Sequence, residues 1–76
     1  MLKLLKKLSM FDLKSIKEII LEKTGIDLSY YRDSYLERRI KVRMRKNGFS
    51  NFYDYMEKLE TDLEERKKFI DEVGIN

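Results

Sequence analysis

Three glycines and no proline divide this 76-residue chain into pieces of helical period. Gly25, Gly48 and Gly74 each follow a stretch in which apolar side chains recur every three or four residues. Glycine reaches the left-handed conformation without a Cβ clash, so it is a favoured residue just past a helix C-terminus. No stretch alternates with period two for long enough to make a strand. The links between the periodic pieces are short. The pattern predicts an all-α fold, a small antiparallel bundle of four helices, in a single domain over residues 1–76. A chain of this length buries only about 60% of its unfolded surface, so its core is small.

The caps set the expected boundaries. Residues 1–9 form a short amphipathic segment, with Leu2, Leu4, Leu5 and Leu8 on one side and Lys3, Lys6 and Lys7 on the other. Docking of these leucines on the domain is favoured over a membrane-surface tail, because two turns are too few to hold a membrane alone. The bundle proper occupies 10–74. Ser9 opens the first helix, with Asp12 at the reciprocal position of a capping box. Leu13, Ile16, Ile19 and Ile20 form its buried stripe. Ile26 is placed to close a Schellman motif against Leu21, and Phe49 to fold back on Met44 in the same manner. Ser50 caps a third helix with Phe52, Tyr55, Met56 and Leu59 on one face. Thr61 and Glu64 form a capping box for a fourth, whose apolar positions are Leu63, Phe69, Ile70 and Val73.

The second helix carries most of the information. Ser29 to Lys46 holds seven Lys/Arg against two acids. Ser29 as N-cap and Asn47-Gly48 as stop bracket a helix of about five turns. Leu36, Ile40 and Met44 face the core. Tyr31, Tyr35 and Val42 make a second apolar arc. Two basic stripes fill the gaps, one of Arg32, Arg39, Arg43 and Lys46, the other of Arg38, Lys41 and Arg45. Arginine predominates, and its planar fork matches carboxylates and phosphates in a bidentate manner. Glu37 to Lys41 is a favourable i, i+4 pair, but it uses only one charge. Tyr35, Tyr53 and Tyr55 are expected in the core with their hydroxyls at its rim, while Tyr30 and Tyr31 flank a binding surface. Residues 1–48 hold 13 basic and 6 acidic side chains, and residues 49–76 hold 4 basic and 8 acidic. Half of the molecule therefore attracts an anionic partner that the other half repels.

Much chemistry is excluded by what the chain lacks. Without Cys or His there is no disulfide framework, no usual zinc site and no near-neutral base. No run approaches the ~20 apolar residues of a membrane span, and the first eight residues are too short for a signal peptide. Cytoplasmic is the default location. No P-loop, dinucleotide fingerprint, nucleophile elbow or metal-ligand spacing is present. The acid pairs Glu64-Glu65 and Asp71-Glu72 read as solvated surface. The residues alone describe a binding module with no catalytic group, no cofactor and no metal.

The run Thr24 to Asp62 also resembles the N-terminal helical domain of the chemotaxis protein methyltransferases. The resemblance rests on Thr24-Gly25-Ile26, Leu28, Tyr31-Arg32, Arg39-Ile40, Arg43-Met44-Arg45, Gly48, Phe52, Tyr55 and Leu59, in register without a gap. Phe11 and Ile16 upstream and Phe69-Ile70-Asp71 downstream extend it over nearly the whole chain. Such enzymes transfer a methyl group from S-adenosylmethionine to glutamate side chains of chemoreceptors, on a separate α/β catalytic domain. The resemblance implies that the basic second helix faces the acidic methylation region of a receptor. Carried over by position, Arg39 is the first candidate contact, followed by Arg32, Arg43 and Arg45. Some relatives have a further basic residue where this chain has Val42. The family's linker to the catalytic domain is matched only at its beginning, by Gly74-Ile75-Asn76. The resemblance therefore implies either a piece of a longer enzyme, the favoured reading, or a free-standing copy of the helical module, with S-adenosylmethionine and the catalytic domain outside these residues in both cases.

The alternative is a small basic helical module that binds nucleic acid or another protein. Against nucleic acid stand the acidic C-terminal half and the absence of Asn or Gln among the arginines to read bases.

Overall fold

In a computed structural model that describes residues 8–75, four helices enclose one apolar core. They are α1 (Met10–Thr24), α2 (Asp33–Lys46), α3 (Phe52–Thr61) and α4 (Leu63–Val73), with a 3-10 turn at Leu28–Tyr30 between the first two. The described residues contain no strand. The all-α expectation holds. Most of the amphipathic segment expected at the N-terminus lies outside the described residues. Leu8 lies within them and packs into the core.

α1 begins as its sequence predicts. The Ser9 N–H donates to Asp12 Oδ2 at 3.0 Å and the Asp12 N–H to Ser9 Oγ at 3.1 Å, which completes the capping box. Leu13, Ile16 and Ile20 are buried, while Ile19 is half-buried at the edge of a groove. Gly25 ends the helix at φ 79°, its N–H on Leu21 O. The Schellman motif expected with Ile26 does not form. The Ile26 N–H turns to Thr24 Oγ1 instead, leaving the simpler left-handed cap.

The expected five-turn helix from Ser29 is shorter than its pattern suggested. Asp27 accepts from the Ser29 N–H at 2.9 Å and also from its hydroxyl, so the Ser29 side chain is turned back toward Asp27 in a side-chain-closed turn and away from the cap position. Tyr31 and Arg32 are extended, at ψ 145° and 143°, and α2 starts only at Asp33. The break lets Leu28 sink fully into the core. Arg32 offers no side-chain cap. Asp33 places a carboxylate in the first turn, where the helix dipole favours it, and pairs with Lys17 of α1 at 2.9 Å.

The C-terminus of α2 behaves as expected. The Phe49 N–H reaches Met44 O at 2.8 Å and the Gly48 N–H reaches Arg45 O at 3.1 Å, the bond pair of a Schellman motif with Gly48 at φ 75°.

Two other caps differ from expectation. Asn51, not Ser50, caps α3, by accepting from the Tyr53 N–H at 2.7 Å. Asp62, not Thr61, caps α4, by accepting from the Glu64 and Glu65 N–H groups. Thr61 instead donates back to Glu57 O inside α3. Asp62 is thus the single residue between two helices, and Arg66 Nη1 satisfies the Leu59 and Glu60 carbonyls that α3 leaves open. This tight corner fixes α4 against both α3 and α2.

Candidate functional site

The two basic stripes of α2 have different surroundings. Leu36, Ile40 and Met44 point into the core, and Arg43 is buried beside them. Going round the helix, Arg39, Arg43 and Lys46 turn toward α4 and meet its acids. Arg38 and Arg45 face solvent and make no ion pair among the described residues. Lys41 pairs with Glu37 at 3.2 Å as the spacing predicts. Glu37 is further occupied by the Leu8 N–H at 2.7 Å.

Arg43 is engaged most completely. Its Nε and Nη2 donate to Glu65 Oε2 and Oε1 at 2.9 and 2.8 Å, a bidentate fork inside the bundle. The Tyr55 hydroxyl of α3 donates to the same Glu65 Oε2 at 2.7 Å. Three helices therefore meet at one carboxylate that is only 3% exposed. Burial alone raises the pKa of Glu65, but the hydrogen bonds from Arg43 and then Tyr55 outweigh it and leave the carboxyl below its ordinary value. Arg43 is held above its ordinary value, first by that same hydrogen bond. Tyr55 is pushed well above the usual phenol range, first by burial and then by its bond to the anion. The group is internally satisfied, and Arg43 points away from any partner.

Arg39 is held more loosely. Its Nη1 donates to Glu72 Oε2 at 3.0 Å, a single contact, and its side chain remains 32% exposed. Glu72 Oε1 lies 3.6 Å from Lys46 Nζ. The Arg39 guanidinium sits over the Tyr35 ring at 5.6 Å, within cation–π range. Tyr35 stacks on Tyr31 with ring centres 6.0 Å apart, and its hydroxyl donates to Val73 O at 2.8 Å. The ladder Tyr31, Tyr35, Arg39 is thus anchored at both ends.

Of the four arginines singled out by resemblance, Arg39 and Arg45 lie on the helix with some exposure. Arg32 is exposed but precedes the helix, on extended backbone. Arg43 differs from the other three in being turned inward, onto Glu65. Sequence reasoning also missed the acids of α4 that meet this helix. Glu65 and Glu72 were expected on a solvated face, yet Glu65 is buried and Glu72 half-buried. The signal was present: Glu65, Phe69 and Val73 recur at i, i+4 and i+8, so a core stripe on α4 necessarily contains Glu65. Among the tyrosines, Tyr55 is buried as expected, though its hydroxyl meets Glu65 inside the core and not at the rim; Tyr35 is half-buried, and Tyr53 is largely exposed, with its hydroxyl 3.3 Å from Asp12.

Elsewhere the surface is quieter. A groove between α1 and α3 is lined by Ser15, Glu18, Ile19, Glu22, Met56 and Glu60. Its lining includes three carboxylates, Glu18, Glu22 and Glu60. Among the described residues no cluster of three or more His, Cys, Asp or Glu is arranged to hold a metal, and no helix is long and apolar enough to cross a membrane.

No solved structure matches the chain. A family described as CheR methyltransferase, all-alpha domain, matches residues 12–73, which includes all four helices save the first two residues of α1. The bundle, its Arg-rich second helix and that match agree, and the chain belongs to the all-α domain family of the CheR methyltransferases.

Proposed function

We propose that this domain recognises the acidic methylation region of a chemoreceptor, in the cytoplasm, on behalf of a protein-glutamate methyltransferase. The observation that carries the reading is the outward face of α2. Arg38 and Arg45 present charge there without a carboxylate partner among the described residues, and Arg39 and Lys46 flank them with a single shared one. Arg32 adds a further exposed cation just before the helix. A row of arginines on a rigid helix suits a helix that displays glutamates, because each fork can take a carboxylate in a planar manner. Arg43 has a different role in this proposal: with Glu65 it fixes how α2 is rotated in the bundle.

The methyl transfer itself belongs to a catalytic domain and to S-adenosylmethionine bound there. These residues would orient substrate, and no catalytic step is assigned to them.

The test is a titration of the chain with a glutamate-rich helical peptide at low salt. Arg39→Ala combined with Arg45→Ala is expected to weaken binding on the order of tenfold, about what two charge-assisted contacts contribute at a partly exposed surface. Affinity falls as salt is added, since exposed charges are screened beyond roughly 8 Å at physiological ionic strength. An affinity unchanged by the double substitution, or equal affinity for random duplex DNA, contradicts the proposal.

A further inference from the structure

The two ion pairs between α2 and α4 are built differently. Arg43 and Glu65 form a buried bidentate fork with both carboxylate oxygens engaged at 2.8 to 2.9 Å and a tyrosine hydroxyl added. Arg39 and Glu72 share one hydrogen bond at 3.0 Å. The second oxygen of Glu72 lies 3.6 Å from Lys46, beyond hydrogen-bond length. Arg39 Nε is buried without an acceptor among the described residues, so the fork of Arg39 is only half used. Lys46 is 60% exposed and Arg39 32%, so a partner can reach both.

The position of Arg39 does not depend on Glu72 alone. Its guanidinium rests on Tyr35, and Tyr35 is fixed by its hydroxyl on Val73 O and by Tyr31 beneath it. Removing the Glu72 charge leaves this support standing. Glu72 therefore contributes little scaffolding, yet its carboxylate is shared by two cations of α2, Arg39 and Lys46.

We propose that Glu72 is an internal stand-in for a partner's carboxylate, an acid that occupies the Arg39–Lys46 cleft until a glutamate of an acidic helix displaces it. The inference rests on the reading of α2 as a surface for acidic helices, and adds that this surface is partly self-occluded. A partner carboxylate gains by taking Arg39 through two nitrogens where Glu72 uses one. It must first displace one partly buried hydrogen bond, from Arg39, and one ion pair too long for a hydrogen bond, to Lys46. The occlusion lowers affinity for any single glutamate and favours partners that present several along one helix. Only these remain bound through Arg38 and Arg45 while Glu72 is exchanged.

The experiment compares three versions of the chain for affinity to one glutamate-rich helical peptide at low salt: the native sequence, Glu72→Gln and Glu64→Gln. Glu64 is a control for the loss of one negative charge, since its side chain is 75% exposed and its ion pair among the described residues is with Lys67, at 4.0 Å. Glu72→Gln is expected to bind roughly three- to tenfold tighter, the combined effect of releasing Arg39 and Lys46 from one partly buried carboxylate. Glu64→Gln is expected to stay within about twofold of native, because a solvated charge away from the contact acts only through a screened field. Glu72→Ala provides the same comparison in a residue that favours helix, should the amide pair with Arg39 in its turn. Affinity for Glu72→Gln equal to or weaker than native overturns the proposal, and so does an equal gain in both single variants. Binding by none of the three overturns the recognition reading as well, so the two failures are told apart.

Discussion

Arg39 and Arg43 lie one turn apart on α2, yet their carboxylates set them very different tasks. Around Glu65 both carboxylate oxygens are engaged, by Arg43 and Tyr55, and such a group is hard to remove piecemeal. Glu65→Ala leaves Arg43 as an unpaired buried charge and is expected to cost about 3–5 kcal/mol, measured by urea unfolding. Tyr55→Phe deletes one hydrogen bond to an ionised group and keeps the ring, so its expected cost is about 1.5–3 kcal/mol. The same cluster makes stability depend on pH. The folded carboxyl of Glu65 titrates below its unfolded value, so its contribution is fully present above the unfolded value of about 4.3 and is lost as pH falls through the lower, folded one. Tyr55 acts at the other end. Its raised value means stability declines once pH passes the unfolded phenol value of about 10. Thermal unfolding followed from pH 2 to pH 11 is expected to show a plateau between these limits, and a Glu65→Gln variant is expected to have a lower plateau and a shallower acid limb.

The helices themselves were largely legible in the sequence, because apolar period and glycine stops report the same boundaries. The caps were less so. Ser50, Thr61 and Ser29 are good capping residues by type, yet Asn51, Asp62 and Asp27 do the accepting. At α3 and α4 an amide or carboxylate one residue on competes with a hydroxyl for first-turn N–H groups, and before α2 Asp27 closes a turn on Ser29 itself; composition alone does not rank these outcomes. The consequence is sharpest between α3 and α4, where one aspartate serves both helices. Asp62→Ala is expected to lower Tm by roughly 5 °C, the effect of a lost N-cap in a domain of this size, while Thr61→Ala stays close to native. Equal shifts would assign the cap to the wrong residue. Gly48 gives a second check on an element boundary. A Cβ there meets no atom within 4 Å, so Gly48→Ala costs only the left-handed backbone penalty, about 1 kcal/mol, and no packing.

Over the whole molecule, charge is arranged by depth as well as by sequence. Counting residues gave a basic first half and an acidic second half, and that count suggested a single broad attraction. The bundle brings the two halves together along α2 and α4, where part of the positive charge is neutralised internally. What remains outward is a narrower strip, Arg38 and Arg45, with Lys46 and a half-occupied Arg39 beside it. Wheel geometry had separated the two stripes correctly, but it could not say which one meets the acids of another helix, because that depends on how α4 packs. The family resemblance picked residues by alignment position and so included Arg43, whose charge the fold uses internally. The most direct test of the recognition reading is the affinity of Arg38→Glu/Arg45→Glu for a glutamate-rich helical peptide, measured at low salt with the fold checked by circular dichroism. The account predicts an intact bundle and binding weakened by more than about tenfold, since two attractive contacts become repulsive. Binding that matches the native chain would contradict it.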